Sequence, residues 1–474
     1  MAKKVKIYDS VEYRGNWWLP GEEDKKVHGV LVCSIEKQIR LEVSGELPSN
    51  SSLMNSDHPS EIPIVLGDCY DGFVTLLCCL GSSPGMQVDN NQGTSRMRVT
   101  MVFENVIFGE HYESVDDIFF PQFIAEFSNL KYWMDQPPVT VDIFEKLTIE
   151  EHSIRELDVR IEKLSLRIKS GLFYQDVSDQ YEYVGIRYTY YLSFEPDEPQ
   201  PLAWYLNVVD KFRHFLSIYT DSLNYVLALE GINEDRAISI CSIPSPDYKE
   251  VTIRRWEDFI ISIYNMSENI SDILNNWYAL EQEDIIYTYI GNIPSDRKTI
   301  QEKFLGYARI IESLHRLQDN GVKTTFIDPD DYLRIIEKVM SSFKEEVPTD
   351  LWNKLRDNLK FANEFGFQRR IKEVLKELPD EIKESVSYGI KPSKYADIVR
   401  NNRDYYTHFH SKPNNILNDY QMLAMNFSLK VICMWMISRK IGICEEDLSH
   451  ALLHRGRWLS ILDSYKDKIA NSIQ

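Results

Sequence analysis

Near its C-terminus the chain reads Tyr395-Ala396-Asp397-Ile398-Val399-Arg400-Asn401-Asn402-Arg403-Asp404-Tyr405-Tyr406-Thr407-His408-Phe409-His410. Wound as an α-helix at about 100° per residue, this stretch separates into two faces. One arc carries, in order around the helix, Arg403, Thr407, Arg400, Asp404 and His408. The opposite arc carries Ile398, Phe409, Tyr405, Tyr406 and Val399. The pattern predicts a helix with a basic, titratable face and an apolar back.

The polar face carries a candidate acid–base group. Asp404 and His408 are four residues apart, so the carboxylate can accept a hydrogen bond from the imidazole and select its tautomer. Arg403 lies at the far edge of the arc, where it could bind a phosphate but could not easily share one with its own His408. A single copy of the helix therefore resembles half of a site.

The simplest alternative is a solvated face crossed by salt bridges. An arginine followed, after four to six intervening residues, by a histidine is expected about once by chance in a chain of this length. Arg309 with His315, and Arg403 with His410, also fall within this range. Spacing alone does not distinguish a site from a surface.

Composition limits the classes of protein that fit. The 474 residues are 43% hydrophobic and 12% aromatic, which indicates a folded protein of two or three domains. The formal charge of −20 argues against a general coat of positive charge for nucleic acid or an acidic membrane. Between Lys391 and Lys412, however, five basic residues face two acidic ones, a local excess of three positive charges that could hold a phosphodiester.

The location is predicted from the N-terminus, the cysteines and the apolar runs. Met1 to Lys6 lacks the apolar core of a signal peptide, and the apolar run from Val431 to Ile437 is too short to span a bilayer. The seven cysteines form an odd set without a Cys-x-x-Cys pair, which indicates buried thiols in a reducing compartment. We therefore expect a cytoplasmic protein with no membrane partner.

The period of the apolar residues changes along the chain. Residues 1–150 predict an antiparallel β-rich domain, with polar stretches 44–63 and 81–96 as exposed loops. Residues 151–266 predict a second β-rich portion, with strands near 157–168, 181–194 and 258–264 and one helix at 202–219. From residue 267 to 474 the pattern predicts an all-α bundle, whose first helix is capped by Ser267 or Ser271 and whose second opens at Pro294-Ser295-Asp296.

Three segments carry a family resemblance. Arg403-Asp404-Tyr405-Tyr406-Thr407-His408 resembles the Arg-polar-x-x-x-His signature of HEPN ribonucleases. The run from Phe304 to Arg316 looks like the early helix of the ApeA-like branch of that family. Tyr13-Arg14-Gly15-Asn16-Trp17-Trp18-Leu19-Pro20-Gly21, with Gly29-Val30-Leu31 and Ile64-Val65-Leu66-Gly67, resembles the start of the ApeA N-terminal domain. The predicted architecture is thus an α+β multidomain protein, with a β-rich N-terminal region followed by a HEPN-type bundle.

The resemblance implies an antiphage abortive-infection protein that cleaves RNA without a metal or cofactor. The family implies a homodimer or higher homo-oligomer through the HEPN domain. In such a dimer, Arg403 and His408 of two subunits flank one phosphodiester. Its chemistry is attack of the 2′-OH on the adjacent phosphorus, which leaves a 2′,3′-cyclic phosphate and a 5′-OH. Transfer RNA is the substrate that the family suggests, and a phage-encoded component is the expected trigger that relieves restraint by the N-terminal region.

The predicted catalytic residues are Arg403, His408 and Asp404. His408 is the general acid or base, Arg403 stabilises charge on the phosphorane, and Asp404 orients His408. The family often has Asn or His after its arginine, so Asp404 is a departure from the pattern. The predicted substrate-binding residues are Arg400, Tyr405, Tyr406 and Thr407, and a second tier comprises Glu312, His315 and Arg316.

Each assignment has a structural alternative. Tyr405 and Tyr406 suit core packing as well as base stacking. His315 lies on the apolar stripe of its helix, as a core histidine would, and Glu312 and Arg316 are spaced to pair with each other.

Other residues, and the protein as a whole, also have alternative interpretations. His408 and His410 point in roughly opposite directions on a helix and do not make a convincing metal pair. Basic clusters at 368–372 and 454–457 could extend an RNA footprint or be solvated helix ends. The alternative function is a non-catalytic sensor or adaptor in phage defence.

Overall fold

The computed structural model describes residues 4–45, 47, 63–89, 94–142, 148–152, 154–179, 181–182, 185–234, 236–248, 261–266, 268–293, 298–317, 324–342, 344–409, 415–454 and 458–473. The chain divides into two compact units. The first comprises Met1–Ser217 and Asn224–Arg254, and the second comprises Ile218–Leu223 and Arg255–Gln474. The first is β-rich and the second is helical, which confirms the predicted architecture.

The first unit is built mainly from β-strands. They are β1 (Val11–Trp18), β2 (Val27–Ser34), β3 (Gln38–Ser44), β4 (Ile64–Cys69), β5 (Gly72–Asp89), β6 (Thr94–Phe108), β7 (Phe119–Phe120), β8 (Gln122–Phe127), β9 (Val139–Asp142), β10 (Thr148–Glu151), β11 (Asp158–Ile161), β12 (Leu166–Asp176), β13 (Ile186–Pro196), β14 (Gln200–Pro201), β15 (Val226–Asn233) and β16 (Arg236–Ser242). The short helix α1 (Leu130–Met134) and the long helix α2 (Leu202–Tyr219) accompany them.

Part of the sheet closes on itself. Twelve of the described strands form one antiparallel sheet in the order β11-β12-β13-β8-β15-β16-β6-β3-β2-β1-β4-β5. Because β6 also pairs with β5, the last six of these strands, β6 to β5, close into a barrel. Alternate residues of β3, namely Ile39, Leu41 and Val43, are buried, as expected for a strand with one face inside a barrel.

Trp17 and Trp18 are adjacent residues of β1 in the interior of the β-rich unit. Both side chains are buried, and Trp17 lies opposite Gly67 in the β1–β4 register. A Cβ atom added to Gly67 would lie 2.3 Å from the Trp17 ring, so only glycine fits there. Trp17 and the distant Gly67 therefore form one packing unit.

The sheet crosses the boundary predicted at residue 150. Strands β8, β11, β12, β13, β15 and β16 come from both sides of that position and pair with one another. Non-local pairing of this kind leaves no signal in local composition. Helix α2 occupies the predicted residues and packs Phe212 and Phe215 against Trp133.

Two local predictions were wrong. The polar stretch 81–96, predicted as a loop, forms the outer part of the β5–β6 hairpin in its described residues, with Ser83 opposite Thr100. Its side chains at 83–85 are exposed, so this part of the hairpin needs no alternating apolar pattern. In the stretch 258–264, residues 258–260 lie outside the described residues, and the remainder contains the start of a 3-10 turn instead of a strand.

The second unit is a bundle of helices. They are α3 (Ile270–Ala279), α4 (Glu283–Ile290), α5 (Ile300–Arg316), α6 (Pro329–Ser342), α7 (Thr349–Leu359), α8 (Phe367–Glu377), α9 (Asp380–Val386), α10 (Pro392–His408), α11 (Asp419–Lys440), α12 (Glu445–His454) and α13 (Trp458–Ile473). The sequence prediction did not include α4, α9, α12 and α13. Two of these, α4 and α9, are only about two turns long and show little periodicity.

The helix caps differ from those predicted. Helix α3 has Asn269 at its N-cap, Ser271 lies inside the helix, and Ser267 lies outside the described residues. Helix α5 begins after Thr299, whose hydroxyl accepts from the amide of Glu302 while the Glu302 side chain accepts from the amide of Thr299. This capping box satisfies two donors that would otherwise be unpaired.

Helix α11 forms the core of the bundle. Its described residues from Met422 to Ser438 are largely buried, and it packs against α5 and α13. Within the described residues, α11 is the one helix that is long enough and apolar enough to cross a membrane. However, 78% of its apolar window is buried inside the protein.

Candidate active site

The predicted signature helix is α10. Pro392 occupies its first turn, where the missing N–H costs nothing, and Phe409 ends it in the left-handed conformation with φ 49°. Ile398 and Val399 are buried as predicted for the apolar back, and Tyr395 is buried as well. Phe409 does not continue that back, because it lies beyond the helix end and is exposed. Helix α10 packs on α5 and α8, which fixes the direction of its polar face.

Arg403 is held by two carboxylates. Its Nη2 donates to Glu312 Oε2 on α5 at 3.0 Å, and its Nη1 donates to Asp404 Oδ1 at 3.0 Å. Its guanidinium also lies 5.1 Å from the ring centre of Phe367. A guanidinium carries five N–H donors in a rigid fork, so these two contacts fix its plane and leave donors for a phosphate.

The predicted second-tier residues join Arg403 through a line of alternating charges. Glu312 accepts from Arg316 at 3.4 Å, which confirms the predicted pair. Arg316 Nε lies 3.2 Å from Glu364 Oε2, and the same oxygen accepts from Arg370 Nη2 at 3.0 Å. The line continues from Arg370 Nη1 to His315 Nδ1 at 3.3 Å. Arg403 is therefore connected to the interior of the bundle.

The inner end of this line is a buried Arg–His pair. Arg370 has no exposed surface and His315 is only 2% exposed. Burial lowers the pKa of His315 to about 4, and the positive charge of Arg370 adds to the effect. The structural interpretation of His315 as a core histidine is therefore confirmed. Arg370, which sequence reasoning placed in a possible RNA-binding cluster, is buried and does not present its charge at the surface.

Asp404 has a different observed partner from the one predicted. Its carboxylate accepts from Arg403, whereas the predicted contact with His408 stays a prediction. The contact with Arg403 partly neutralises the charge of the Asp404 carboxylate. Thr407 lies on the same face and donates its hydroxyl hydrogen to the carbonyl of Arg403 at 2.7 Å.

Arg403 and His408 diverge on the helix. Five residues of α-helix rotate a side chain by about 140° and advance it by about 7.5 Å. Arg403 is half-buried between α5 and α8, whereas His408 is exposed at the helix end. The two side chains of one chain therefore face different directions, as the half-site argument predicts.

The remaining predicted substrate-binding residues fall into two groups. Arg400 donates to Gln368 Oε1 on α8 at 3.1 Å and to Asn401, so its side chain is held beside the site. Tyr405 and Tyr406 are half-buried and meet edge to face with ring centres 5.0 Å apart. Phe409 lies 6.1 Å from Tyr405 and adds a third ring. The three rings are therefore not fully buried, and base stacking by Tyr405 and Tyr406 stays a prediction.

Two family models match the chain. The model of ApeA N-terminal domain 1 matches residues 12–277, and the model of the Apea-like HEPN domain matches residues 305–447. The first match alone covers more than half of the chain. The chain belongs to the ApeA family. No curated protein and no solved structure matches it.

The two ApeA-family matches cover the N-terminal region and the HEPN region in which the resemblance was found. The Trp17–Gly67 packing unit lies in the N-terminal match, and every predicted site residue from Glu312 to His408 lies in the HEPN match. The HEPN domain belongs to a family of ribonucleases, which is the class of function that the sequence predicted.

Sequence reasoning missed Asn402 as a positioning residue in this ApeA-family domain. Its buried side chain donates to the carbonyls of Ile398 and Asn415 and accepts from the amide of Leu417 at 2.9 Å. These bonds attach the residues that lead into α11 to the signature helix α10. The sequence did contain a signal for this role. Asn402 is a polar residue one helical turn after Ile398, on the buried side of α10, where a polar side chain needs hydrogen-bond partners.

Replacing Asn402 tests this attachment. In Asn402→Ala the Leu417 amide loses its buried acceptor, a loss of about 1–3 kcal/mol of local stability. We expect Leu417 to exchange its amide hydrogen about 10-fold to 100-fold faster in hydrogen exchange. Asn401→Ala, one position away, is the control and should leave that rate unchanged; equal rates in both variants would contradict the assignment.

Two candidate features lie partly outside the described residues. His410 and residues 455–457 are among the residues that the structure does not describe, so the His408–His410 pair and the second basic cluster stay predictions. Within the described ranges, no group of three or more His, Cys, Asp or Glu side chains is arranged to hold a metal ion.

Proposed function

We propose that this ApeA-family protein is an endoribonuclease that cleaves RNA by 2′-OH attack and acts in defence against phage. The observation that carries the proposal is the placement of Arg403, fixed by Glu312 and Asp404 on a helix whose end exposes His408. An arginine fork with a defined plane can bind two phosphate oxygens at once, which lysine cannot do.

The proposed reaction is an internal transesterification. A bond forms between the 2′-oxygen and phosphorus, and the bond between phosphorus and the 5′-oxygen breaks. His408 accepts the 2′-OH proton or supplies the proton that the leaving 5′-oxygen takes up, since histidine can do either near neutral pH. Arg403 stabilises the added negative charge on the phosphorane. The products are a 2′,3′-cyclic phosphate and a 5′-OH.

Two copies of the chain supply the complete site in this proposal. The divergence of Arg403 and His408 on one helix is the support, because a second signature helix would place its own pair across the phosphodiester. Tyr405, Tyr406 and Phe409 offer aromatic faces to unstacked bases, a mode suited to single-stranded loops of RNA. Transfer RNA, which presents such loops, is our proposed substrate.

We also propose that the nuclease is held inactive in the cytoplasm until infection. A nuclease that acts on abundant host RNA has to be held inactive, and the β-rich unit, with its own barrel and core, is the proposed receptor for a phage component. The competing function is a sensor or adaptor that binds RNA without cutting it.

The test is to incubate the full-length protein with total RNA in EDTA and to map the new ends. We expect discrete fragments ending in cyclic phosphate and 5′-OH, with transfer RNA among the cleaved species. The same reaction with Mg²⁺ is the control for metal dependence. Cleavage that requires Mg²⁺ would contradict the mechanism, and binding of RNA without new ends, with phage lysate present as a source of trigger, would favour the adaptor.

A further inference from the structure

A cleft of about 540 Å³ opens in the β-rich unit. It is lined by residues of α2, β6, β15 and β16 and of the segment before β1, all of which belong to that unit. We call it the α2 cleft. Its lining includes the aliphatic side chains of Ile7, Leu206, Val209, Val226 and Leu229. Sites for small molecules are usually cavities of about 300 to 1,000 Å³ with an apolar lining and a few fixed polar groups, so the cleft has a suitable size and surface.

A buried asparagine supplies an unused hydrogen-bond donor in the α2 cleft. Asn105 is only 5% exposed and lines the cleft. Its Oδ1 accepts from the Ser242 hydroxyl at 2.7 Å, whereas its Nδ2 has no hydrogen-bond partner within the part of the chain that the structure describes. Buried side-chain polar groups are nearly always paired, so an unpaired donor at a cavity wall indicates that a ligand supplies the acceptor.

Ser242 places an acceptor next to that donor. Because its hydroxyl hydrogen is donated to Asn105, its oxygen keeps lone pairs that can accept from a ligand. Ser242 and Asn105 lie directly opposite each other on β16 and β6, so the donor and the acceptor form one polar edge.

This polar edge complements a carbonyl that lies next to an N–H. The Watson–Crick edges of hypoxanthine, guanine and uracil carry that pair of groups, and proteins read unstacked bases by hydrogen bonds to this edge. A trans peptide group does not fit as well, because its C=O and N–H point in opposite directions. The edge therefore favours a nucleobase over a peptide.

An aromatic wall of the cleft suits a flat ligand. Tyr8 lines the cleft, and Tyr248 stacks on it with ring centres 3.6 Å apart and 13° between the ring planes. Tyr225 also lines the cleft and meets Tyr8 edge to face at 6.2 Å, while its hydroxyl donates to the carbonyl of Asp247 at 2.9 Å. These contacts fix the plane of the Tyr8 ring, so a planar base can pack against it without reordering the wall.

The charges of the cleft favour an uncharged ligand. Arg213 is the one basic side chain among the described residues that line it. Its Nε donates to Asp210 Oδ1 at 2.7 Å, its Nη1 donates to the carbonyl of Asn224 at 3.3 Å, and its Nη2 lies 2.7 Å from His214 Nε2. The guanidinium is therefore neutralised within the protein. Burial raises the pKa of Tyr8 to about 12, so its phenol is also uncharged at neutral pH.

We propose that the α2 cleft binds an uncharged nucleobase or nucleoside whose ring carries a carbonyl next to an N–H. The carbonyl accepts from Asn105 Nδ2, the N–H donates to Ser242 Oγ, and the ring packs against Tyr8. The inference goes beyond the proposed function and does not rest on it, since no residue of the cleft belongs to the helical unit. A nucleotide has the same edge but brings a phosphate, for which the cleft holds a single cation that is already paired.

The test titrates the full-length protein with nucleosides by isothermal titration calorimetry. We expect inosine or uridine to bind with a dissociation constant on the order of 10 to 100 µM, a usual affinity for a ligand of this size. 1-Methylinosine keeps the carbonyl but lacks the N–H, and it should bind at least about 10-fold more weakly than inosine. Inosine 5′-monophosphate should bind no more tightly than inosine.

Two variants test the location of the site. Asn105→Leu removes the donor without burying a new polar group, and Val226→Phe fills the cleft from a half-buried position. Each should weaken nucleoside binding at least about 10-fold. The control is Asn16→Leu, which replaces an exposed asparagine on β1 of the same sheet and should bind as the parent does. Thermal unfolding of each variant shows whether the fold is retained, and Val226→Phe carries the test if Asn105→Leu does not fold.

Several results would overturn the inference. Binding of neither inosine nor uridine by the parent at about 1 mM would exclude the site. Equal affinity for inosine and 1-methylinosine would exclude the polar edge, and parent-like affinity in a folded Val226→Phe would place the ligand elsewhere. Tighter binding of inosine 5′-monophosphate than of inosine would show that a phosphate is recognised and would overturn the assignment of an uncharged ligand.

Discussion

His408→Ala is expected to lower the single-turnover rate of RNA cleavage by about 10²-fold to 10⁴-fold, the usual contribution of a general acid or base. Arg403→Ala should lower this rate by a comparable factor, because it removes the guanidinium that would stabilise the developing charge on the phosphorane. Arg403→Lys should rescue little of this loss, since lysine keeps the charge but cannot make a bidentate contact. The measurement is the rate at saturating protein, with folding and oligomeric state checked in each variant.

The matched control for these variants is Arg309→Ala. Arg309 is an exposed arginine on α5 and, with His315 six positions later, forms another Arg–His pair of similar sequence spacing. Its partner in that pattern, His315, is buried, so that pair cannot act on RNA. Arg309→Ala should therefore stay within roughly twofold of the parent, the usual range for a surface substitution. A parent-like rate for His408→Ala would remove His408 from the mechanism.

Acidification is expected to destabilise the helical unit through His315. The pKa of His315 is lowered to about 4 in the folded chain by burial beside Arg370, with Glu373 opposing the shift. An unfolded histidine titrates near 6.5, so between these values the unfolded state binds more protons. The free energy of unfolding therefore rises with pH across this window and is lost as pH falls from about 6.5 to about 4.

The size of this effect follows from the shift. A pKa of about 4 instead of about 6.5 corresponds to roughly 3 kcal/mol of stability at pH 7. His315→Gln retains an acceptor for Arg370 but does not titrate in this range. Urea unfolding from pH 7 to pH 4 should show a smaller loss of stability in the variant than in the parent.

The comparison with the parent isolates His315 from other groups. His214 in the β-rich unit also has a pKa lowered to about 4 by burial, and it is present in both proteins. Only the difference between the two pH profiles reports His315. Identical profiles would show that the buried Arg–His pair does not titrate as described.

Local sequence patterns were sufficient for several features of this chain. The apolar period predicted α2 at its observed residues and placed an all-helical region after the β-rich one. The polar face of α10 was predicted because helix geometry depends only on sequence spacing.

Other features depend on residues that are distant in sequence. Glu312 and Arg403 are 91 positions apart, and only the packing of α5 against α10 brings their charges to 3.0 Å. Arg370 was assigned to the surface because charged clusters usually are, but Glu364 and His315 offer it partners inside the bundle. Strand pairing across residue 150 likewise has no local signature. The sequence alone therefore determined which side chains could do chemistry, because helical spacing and side-chain type are local properties. Only the tertiary structure decided which of them meet, because burial and charge pairing are set by contacts between distant segments.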